Sequence, residues 1–355
     1  MNLERHEDII FLSRERYQDW DRFVLDFNRS TFYSSSEWVE FLISTFGVKN
    51  QSLLFIRDGE IIGGLLLFLV SNFFMGKKFI SVPHGSIGGG VLCSEPRIER
   101  ILIERALDLC KKYKAHFLEI RTQQLNSLLN ELEFLQSQPF LTSHLDLIDE
   151  ESNWRALSRG HKSSINKAKK NGLEITESKN QKVLKQFYHI LQVVYRAFGT
   201  PIYGFKFFNN LCESLSDKGL VKFLIATYNQ EVVGGVMLFC FNETIIYRLG
   251  AAKSKYNHLR PYNALLWHAI RLGCKNGFKH FNFGTSHKDD NGLLEFKRRF
   301  GADTKPVNFY YHVNRGKIPN FENYTSKYNL AIKVWKSLPL KFTEMGGAHI
   351  RKWIC

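Results

Sequence analysis

The sequence predicts an α/β (α+β) protein built twice over, each half a mixed sheet flanked by helices. Three observations carry this. The stretch from Val221 to Phe300 reads strand, strand, strand, helix, strand, helix. IIGGLLLF (61–68) aligns without a gap with VVGGVMLF (232–239). The element order around the first octapeptide repeats around the second, and His116-Phe117 enters a strand as His280-Phe281 does. A period this long belongs to a duplicated domain, not a solenoid. The 355 residues suit two domains, expected at 1–150 and 151–355.

The first half opens with a strand candidate, IIFLSR, and a helix from Tyr17 to Phe27. Ser34, Ser35 or Ser36 can cap a second helix running through Trp38, Phe41 and Leu42 to Gly47. Strands follow at QSLLFIR (51–57) and EIIGGLLLFLV (60–70). The glycine-rich SVPHGSIGGGV (81–91) lacks the Lys-Ser/Thr of a phosphate loop, so close packing at a strand–helix turn is expected, with His84 and Ser86 beside it. Ser94 is the expected cap of a helix whose apolar stripe is Ile98, Ile101, Leu102, Leu109 and Cys110. A strand (115–122), a polar helix (127–135) and a strand (140–147) complete this half.

Between the halves, residues 153–175 carry Arg155, Arg159, His161, Lys162, Lys167, Lys169 and Lys170. From Lys162 the segment is helical, with Ile165 and Ala168 inward. It is either a solvated charged helix or a phosphate clamp. An amphipathic helix (183–198) leads into GTPIYGFKFFNNL (199–211), a turn and a new helix. Strands then read at VKFLIATY (221–228), EVVGGVMLFCF (231–241) and TIIYRLGA (244–251). Pro261 suits a first helical turn, and Asn276-Gly277 a left-handed cap. KHFNFGT (279–285) is a strand, LLEFKRRFG a short helix and VNFYYHV (307–313) the closing strand. On the short helix Leu293, Phe296 and Phe300 form the expected buried face, with Lys297 leaving at its edge.

Composition narrows the function. Hydrophobic content of 44% and charged content of 23% are those of an ordinary soluble protein. A net charge of +15 points to an anionic partner, such as RNA, a nucleotide-linked substrate or an acidic membrane surface. The alternative is a basic solvated surface. The 6 cysteines lack C-x-x-C spacing, and Cys110, Cys240 and Cys274 fall on apolar faces. Buried reduced thiols explain them better than disulfides or zinc. MNLERHEDII is no signal peptide, and the longest apolar run, Ile61 to Met75, is too short to span a membrane. A cytoplasmic protein is expected.

The combination of SRGHKSSINKAKKNGLEI, GTPIYGFKFF, EVVGGVMLF, IIYRLGA and HFNFGTSHKDDNGLLEFKRRFGA resembles the FemAB-like branch of the GNAT acyltransferase superfamily. The resemblance covers nearly the whole chain and implies two GNAT-like halves. It implies transfer of an aminoacyl or acyl group from aminoacyl-tRNA or acyl-CoA to an amine of a cell-envelope or polysaccharide precursor. No tightly bound cofactor is implied. The family's glycine-leucine-x-x-Phe-Lys segment is present at 292–297, which implies that Lys297 contacts the donor and stabilises the transition state. The family's aspartate-x-glycine is here Asn282-Phe283-Gly284, without the carboxylate. The usual GNAT pyrophosphate loop is replaced by AAKSKYNHLRPYNALL, which disfavours ordinary coenzyme A binding.

Direct amine attack on an ester or thioester needs positioning and a donor at the developing oxyanion. The strand edge from Arg248 to Ala251 is the expected source of a donor amide. Tyr247 is the second catalytic candidate, as a proton relay, or else a strand aromatic. The acceptor, an anionic small molecule or a lipid-linked one, is expected in the cleft between halves near Trp38, Lys162, Tyr203 and Lys206. Arg248, Asn263 and Phe296 complete the substrate-binding set. tRNA is a further candidate partner. The tail from Leu338 to Ile354 is either a contact with the inner membrane face or a packed helix. Two other function classes stay open: a coenzyme A-dependent N-acetyltransferase on an amino sugar, and a non-catalytic RNA- or membrane-binding module.

Overall fold

The computed structural model describes residues 6–27, 30–72, 76–85, 87–316, 318 and 324–351. Ser86 and Cys355, together with the ends of the Ile61–Met75 run and of the C-terminal tail, lie outside the described residues. Chain contacts define two units. One comprises 1–140, 306–321 and 355; the other comprises 141–305 and 322–354.

In the first unit the strands Glu7–Phe11, Leu53–Arg57, Glu60–Leu65 and Leu92–Cys93 pair antiparallel in that order. The helix Pro96–Lys112 buries Ile98, Leu102, Ile103, Ala106, Leu109 and Cys110. The helix Ser36–Phe46 is capped by Ser35, whose side chain accepts from the Trp38 amide, and ends at Gly47 in the left-handed region. A hairpin of Phe68–Asn72 and Gly76–Ile80 runs on to Phe117–Thr122, which pairs antiparallel with residues 308–313.

In the second unit the strand order is Glu174–Glu177, Val221–Tyr228, Glu231–Phe241, Thr244–Ala252, His280–His287 and then residues 141–146 of the strand Leu135–Asp146. The helix Pro261–Lys275 closes the core with Leu265, Leu266, Ala269 and Ile270 against Val236, Leu238, Ile245 and Phe281.

The duplication holds at the level of register. Gly63 and Gly64 pair with Phe55 and Leu54, and a bulge follows between Phe55 and Ile56. Gly234 and Gly235 pair with Ala226 and Ile225, and a bulge follows between Ala226 and Thr227. On their other side the glycines face Cys93 and Leu92, or Ala252 and Ala251. Each third strand leads to a helix with proline in its first turn. The second glycine of each pair is required for the same reason. A side-chain carbon on Gly64 would collide with Trp20 of the helix Tyr17–Leu25, and one on Gly235 with Phe187 of the helix Gln181–Phe198. An aromatic ring thus packs close against bare backbone in both units.

Several expectations need correction. Residues 60–70 are not one strand. Pairing breaks at Leu66-Leu67, where Ser52 Oγ takes the Leu67 amide at 2.9 Å, and Phe68 begins the hairpin. The equivalent strand in the second unit continues to Phe241. Ser94 does not cap the following helix; Glu95 stands there without a side-chain cap bond. The strand expected at 140–147 starts at Leu135, so the helix before it stops at Glu131. The basic helix starts at Arg159, because Ser158 caps it through the His161 amide. His84 faces inward, stacked on Phe46 with ring centroids 3.9 Å apart. Cys110 and Cys240 are buried free thiols, whose burial pushes them up to about 11 and about 12; Cys274 is only partly buried.

Candidate active site

The chemistry-bearing residues of the second unit gather where two parallel strands part. Residues 244–246 of Thr244–Ala252 pair with 280–282 of His280–His287, and the described pairing stops there. Beyond that point 247–252 and 283–287 run on apart. A bulge at Arg248, between the Leu238–Tyr247 and Met237–Leu249 pairs, strengthens the divergence. Register also sets the direction of the next amide. The Lys253 amide donates to Val233 O at 2.8 Å, which makes Lys253–Val233 a hydrogen-bonded pair. Counting along the ladder, Gly250 opposite Val236 is a non-bonded position. Its N–H and carbonyl therefore face away from Glu231–Phe241, into the gap.

Lys297 enters from the helix Asn291–Arg298. Asp290 caps that helix through the Leu293 amide. Sequence periodicity put Lys297 at the edge of a buried face led by Leu293. In the structure Leu293 is 39% exposed and Lys297 only 4%. The short helix is rotated so that Lys297 and Phe300 point in. Lys297 Nζ donates to the Gly284 carbonyl at 3.1 Å. Burial depresses its pKa to about 8, and Asp290 offsets this in part.

Gly284 is the pivot of the gap. Its φ of +70° lies in the left-handed region, and a side-chain carbon there would come within 2.9 Å of Tyr247 O. Its amide donates to Asn282 Oδ1 at 2.7 Å, while Thr142 Oγ1 donates to the same oxygen at 3.1 Å. Asn282 Nδ2 lies 3.2 and 3.3 Å from the ring nitrogens of His144. Burial lowers His144 to about 4, with Lys305 and His280 adding to the effect and Asp146 opposing it.

Tyr247 lies on the other wall. Its hydroxyl is 2.8 Å from the Tyr262 hydroxyl, which donates to Gly250 O at 2.6 Å. Tyr262 has one proton, so Tyr247 donates to Tyr262. Burial raises Tyr247 well above the ordinary tyrosine value, so it stays protonated.

His161 belongs to the support of Lys297 rather than to a surface clamp. Its Nε2 lies 3.0 Å from Phe296 O and its Nδ1 3.0 Å from Asn263 Nδ2. The carbonyl can only accept and the amide only donate, so the ring is the neutral Nε2–H tautomer. Burial lowers its pKa accordingly. Phe296 and Phe300 pack on the ring at 5.0 and 4.1 Å. Asn263 and Phe296 are thus brought to the site through His161.

The other candidates are placed differently. Tyr203 is buried, stacked on Phe207 at 4.1 Å. Arg248 Nη2 donates to its hydroxyl at 3.3 Å, and the Arg351 guanidinium lies 4.9 Å from its ring. Lys206 is exposed on the helix Phe205–Leu215. Lys162 folds back to donate to Arg155 O at 3.0 Å. Trp38, in the first unit, is fully buried among Phe32, Tyr33 and Phe41 and presents no surface. Sequence reasoning missed Tyr262, Thr142, His144 and Arg351. Only Tyr262 had a usable signal, one residue after Pro261 in a first helical turn.

Comparison with known proteins bears on the fold. Residues 157–298 match the family model described as Acetyltransferase (GNAT) domain. No curated protein sequence matches the chain significantly. The chain as a whole has the tandem GNAT fold. The crystal structure of FemX shares it at a TM-score of 0.72 and 14% identity, over 92% of this chain and 100% of that one. The resemblance to the FemAB-like branch is therefore met at the level of whole-chain fold. The C-terminal domain (DUF2156) of a putative lysylphosphatidylglycerol synthetase from Agrobacterium fabrum follows at 0.58 and 11% identity, covering 91% and 96%. A tandem GNAT protein from the clavulanic acid biosynthesis pathway gives 0.57 and 11%, covering 88% and 100%.

Proposed function

We propose that this protein transfers an aminoacyl or acyl group from an activated ester or thioester to an amine on an anionic cell-envelope or polysaccharide precursor. The observation that carries this is the buried Lys297 ammonium, held on Gly284 O where the two strands part. The acyl carbonyl sits in the gap. The acceptor amine attacks its carbon, and negative charge develops on the oxygen. Lys297 and the Gly250 N–H supply the positive ends that meet it. The tetrahedral intermediate collapses with loss of the donor alcohol or thiol, which takes up the proton the amine gives away. Tyr262, with Tyr247 behind it, holds the Gly250 carbonyl and so restrains the residue whose N–H faces the charge.

Aminoacyl-tRNA is the favoured donor. The helix opening opposite the gap starts with Arg260 in the left-handed region and Pro261, which has no N–H. The run of amide donors that would cradle a pyrophosphate is thereby shortened. Arg248 and Arg351, both beside Tyr203, suit a phosphate of the acceptor.

The acceptor is proposed to be lipid-linked or handled at a membrane surface. Among the described residues no helix is long and apolar enough to cross a membrane. The C-terminal helices nevertheless expose Leu330, Val334, Phe342 and Met345 at 76, 51, 62 and 68%. Lys333, Lys336 and Lys341 are exposed on the same helices. That mixture fits an anionic bilayer surface. Co-sedimentation with phosphatidylglycerol vesicles tests it. Binding should fall when Phe342 and Met345 become serine, and equal sedimentation refutes the membrane contact. For the chemistry, the test is donor competition. Mixed aminoacyl-tRNA and acetyl-CoA are offered with a nucleotide-diphosphate-linked peptide carrying a free lysine amine. The product should carry an aminoacyl group; an acetylated product returns the coenzyme A-dependent reading.

A further inference from the structure

We propose that Asn282 is the positioning residue of this site, setting the kink at Gly284 and so the carbonyl on which Lys297 is held. Its catalytic meaning rests on the function proposed above, but its structural part does not.

Asn282 is fully buried and is the last residue paired to the neighbouring strand, opposite Ile246. Two residues on, the Gly284 amide turns to Asn282 Oδ1 instead of continuing the ladder. A side-chain oxygen that accepts from the backbone two residues ahead is the local turn chemistry of Asn and Asp. Gly284 is thereby held on both sides of its α-carbon, the peptide before it through its N–H on Asn282 and the peptide after it through its carbonyl on Lys297. Thr142 holds the accepting oxygen, so the amide cannot flip without losing two bonds.

The amide is also the right group electrically. An aspartate could accept the same bonds from Gly284 and Thr142. It could not donate toward His144, which burial keeps neutral. A carboxylate would then bring a full negative charge into a dry site whose neighbouring imidazole is neutral. Its field would also reach the Lys297 ammonium across the single residue between them, Gly284. The asparagine keeps the turn and removes the charge. This resolves the departure at Asn282-Phe283-Gly284: the position works by geometry, not as a base.

The test uses the full chain carrying ¹³C-labelled lysine and needs no substrate for its first readout. NMR follows the titration of Lys297 in wild type, Asn282→Asp and Asn282→Leu. Groups facing Lys297 and the Asn282 network are Asp290, His144, Lys305, His280 and Asp146. With Leu the carbonyl is released, the lysine swings toward water, and its titration should move up toward the ordinary lysine value. With Asp it should also rise while the Gly284 bond persists. In single turnover, Leu should lower the rate at least tenfold with donor KM nearly unchanged, whereas Asp should keep the rate within a few fold and shift its alkaline limb upward. Should Asn282→Leu fail to fold, Asn282→Ala is measured in its place. A folded Leu or Ala variant whose Lys297 titrates as in wild type overturns the proposal. An altered titration without a rate effect retains the positioning and rejects the function assigned to Lys297.

Discussion

Lys297 Nζ and the Gly284 carbonyl lie 3.1 Å apart, an ammonium held inside the fold by a backbone oxygen. A lysine that is only 4% exposed is costly to keep charged. Its placement at the parting of two strands connects that cost to a use.

The cost is measurable through pH. The Lys297 pKa is about 8 in the folded chain against 10.5 ordinarily. Between those values the unfolded chain binds more protons, so stability rises as pH rises through the window. Below pH 8 the penalty is fully present, on the order of 3 kcal/mol for a shift of this size. Lys297→Met should therefore match or exceed wild type in stability at pH 7. The difference should shrink toward pH 10.5. Urea melts at both pH values check this, and a Met variant clearly weaker at pH 7 contradicts it.

Tyr247→Phe removes a donor whose partner keeps its own bond to Gly250. Turnover should fall less than tenfold, with a stability loss of about 1 kcal/mol. Tyr262→Phe frees the Gly250 carbonyl and should cost more turnover than Tyr247→Phe. Single-turnover rates of the two variants decide the order. A thousandfold loss in Tyr247→Phe alone would restore it as a proton relay.

Element order was legible because apolar alternation and turn residues mark strands and helices locally. The gapless glycine pair exposed the duplication, and its register held to the position of the bulge. Lys297 was found through a motif, yet its burial was not. The helix Asn291–Arg298 is too short for periodicity to fix its rotation, and tertiary contacts from His161 and Phe300 decided it. The network of Thr142, Asn282 and His144 joins residues far apart in sequence, so no spacing could reveal it. Trp38 showed the opposite failure, since an aromatic in a capped helix looks the same whether it lines a site or fills a core.

In the first unit Arg121 Nη2 donates to Glu119 at 2.5 Å, both nearly buried, with the guanidinium 4.4 Å from the Phe309 ring. Arg121→Met leaves Glu119 charged without its cationic partner, which should cost about 3–5 kcal/mol. The double variant with Glu119→Gln should recover much of that. Equal losses in the single and double variants would mean that the pair is not coupled.

His161 accepts from Asn263 only while neutral. Burial lowers its pKa, so its contribution is complete above the ordinary histidine value and fades as pH falls through the window below it. His161→Gln should flatten the stability profile on the acid side. Melts at pH 7 and pH 5 compare the two proteins, and parallel losses on acidification would remove His161 from the account.

The most direct measurement is the single-turnover rate of Lys297→Met with saturating donor, beside Arg298→Met and Arg299→Met. The two arginines are exposed and paired with Glu295, so they serve as controls. Loss of one oxyanion contact should lower the Lys297→Met rate on the order of a hundredfold or more while the fold stays intact. The wild-type rate should decline as pH rises through about 8, where Lys297 loses its proton. Near-normal turnover in Lys297→Met, with a pH profile like that of wild type, would contradict the central claim.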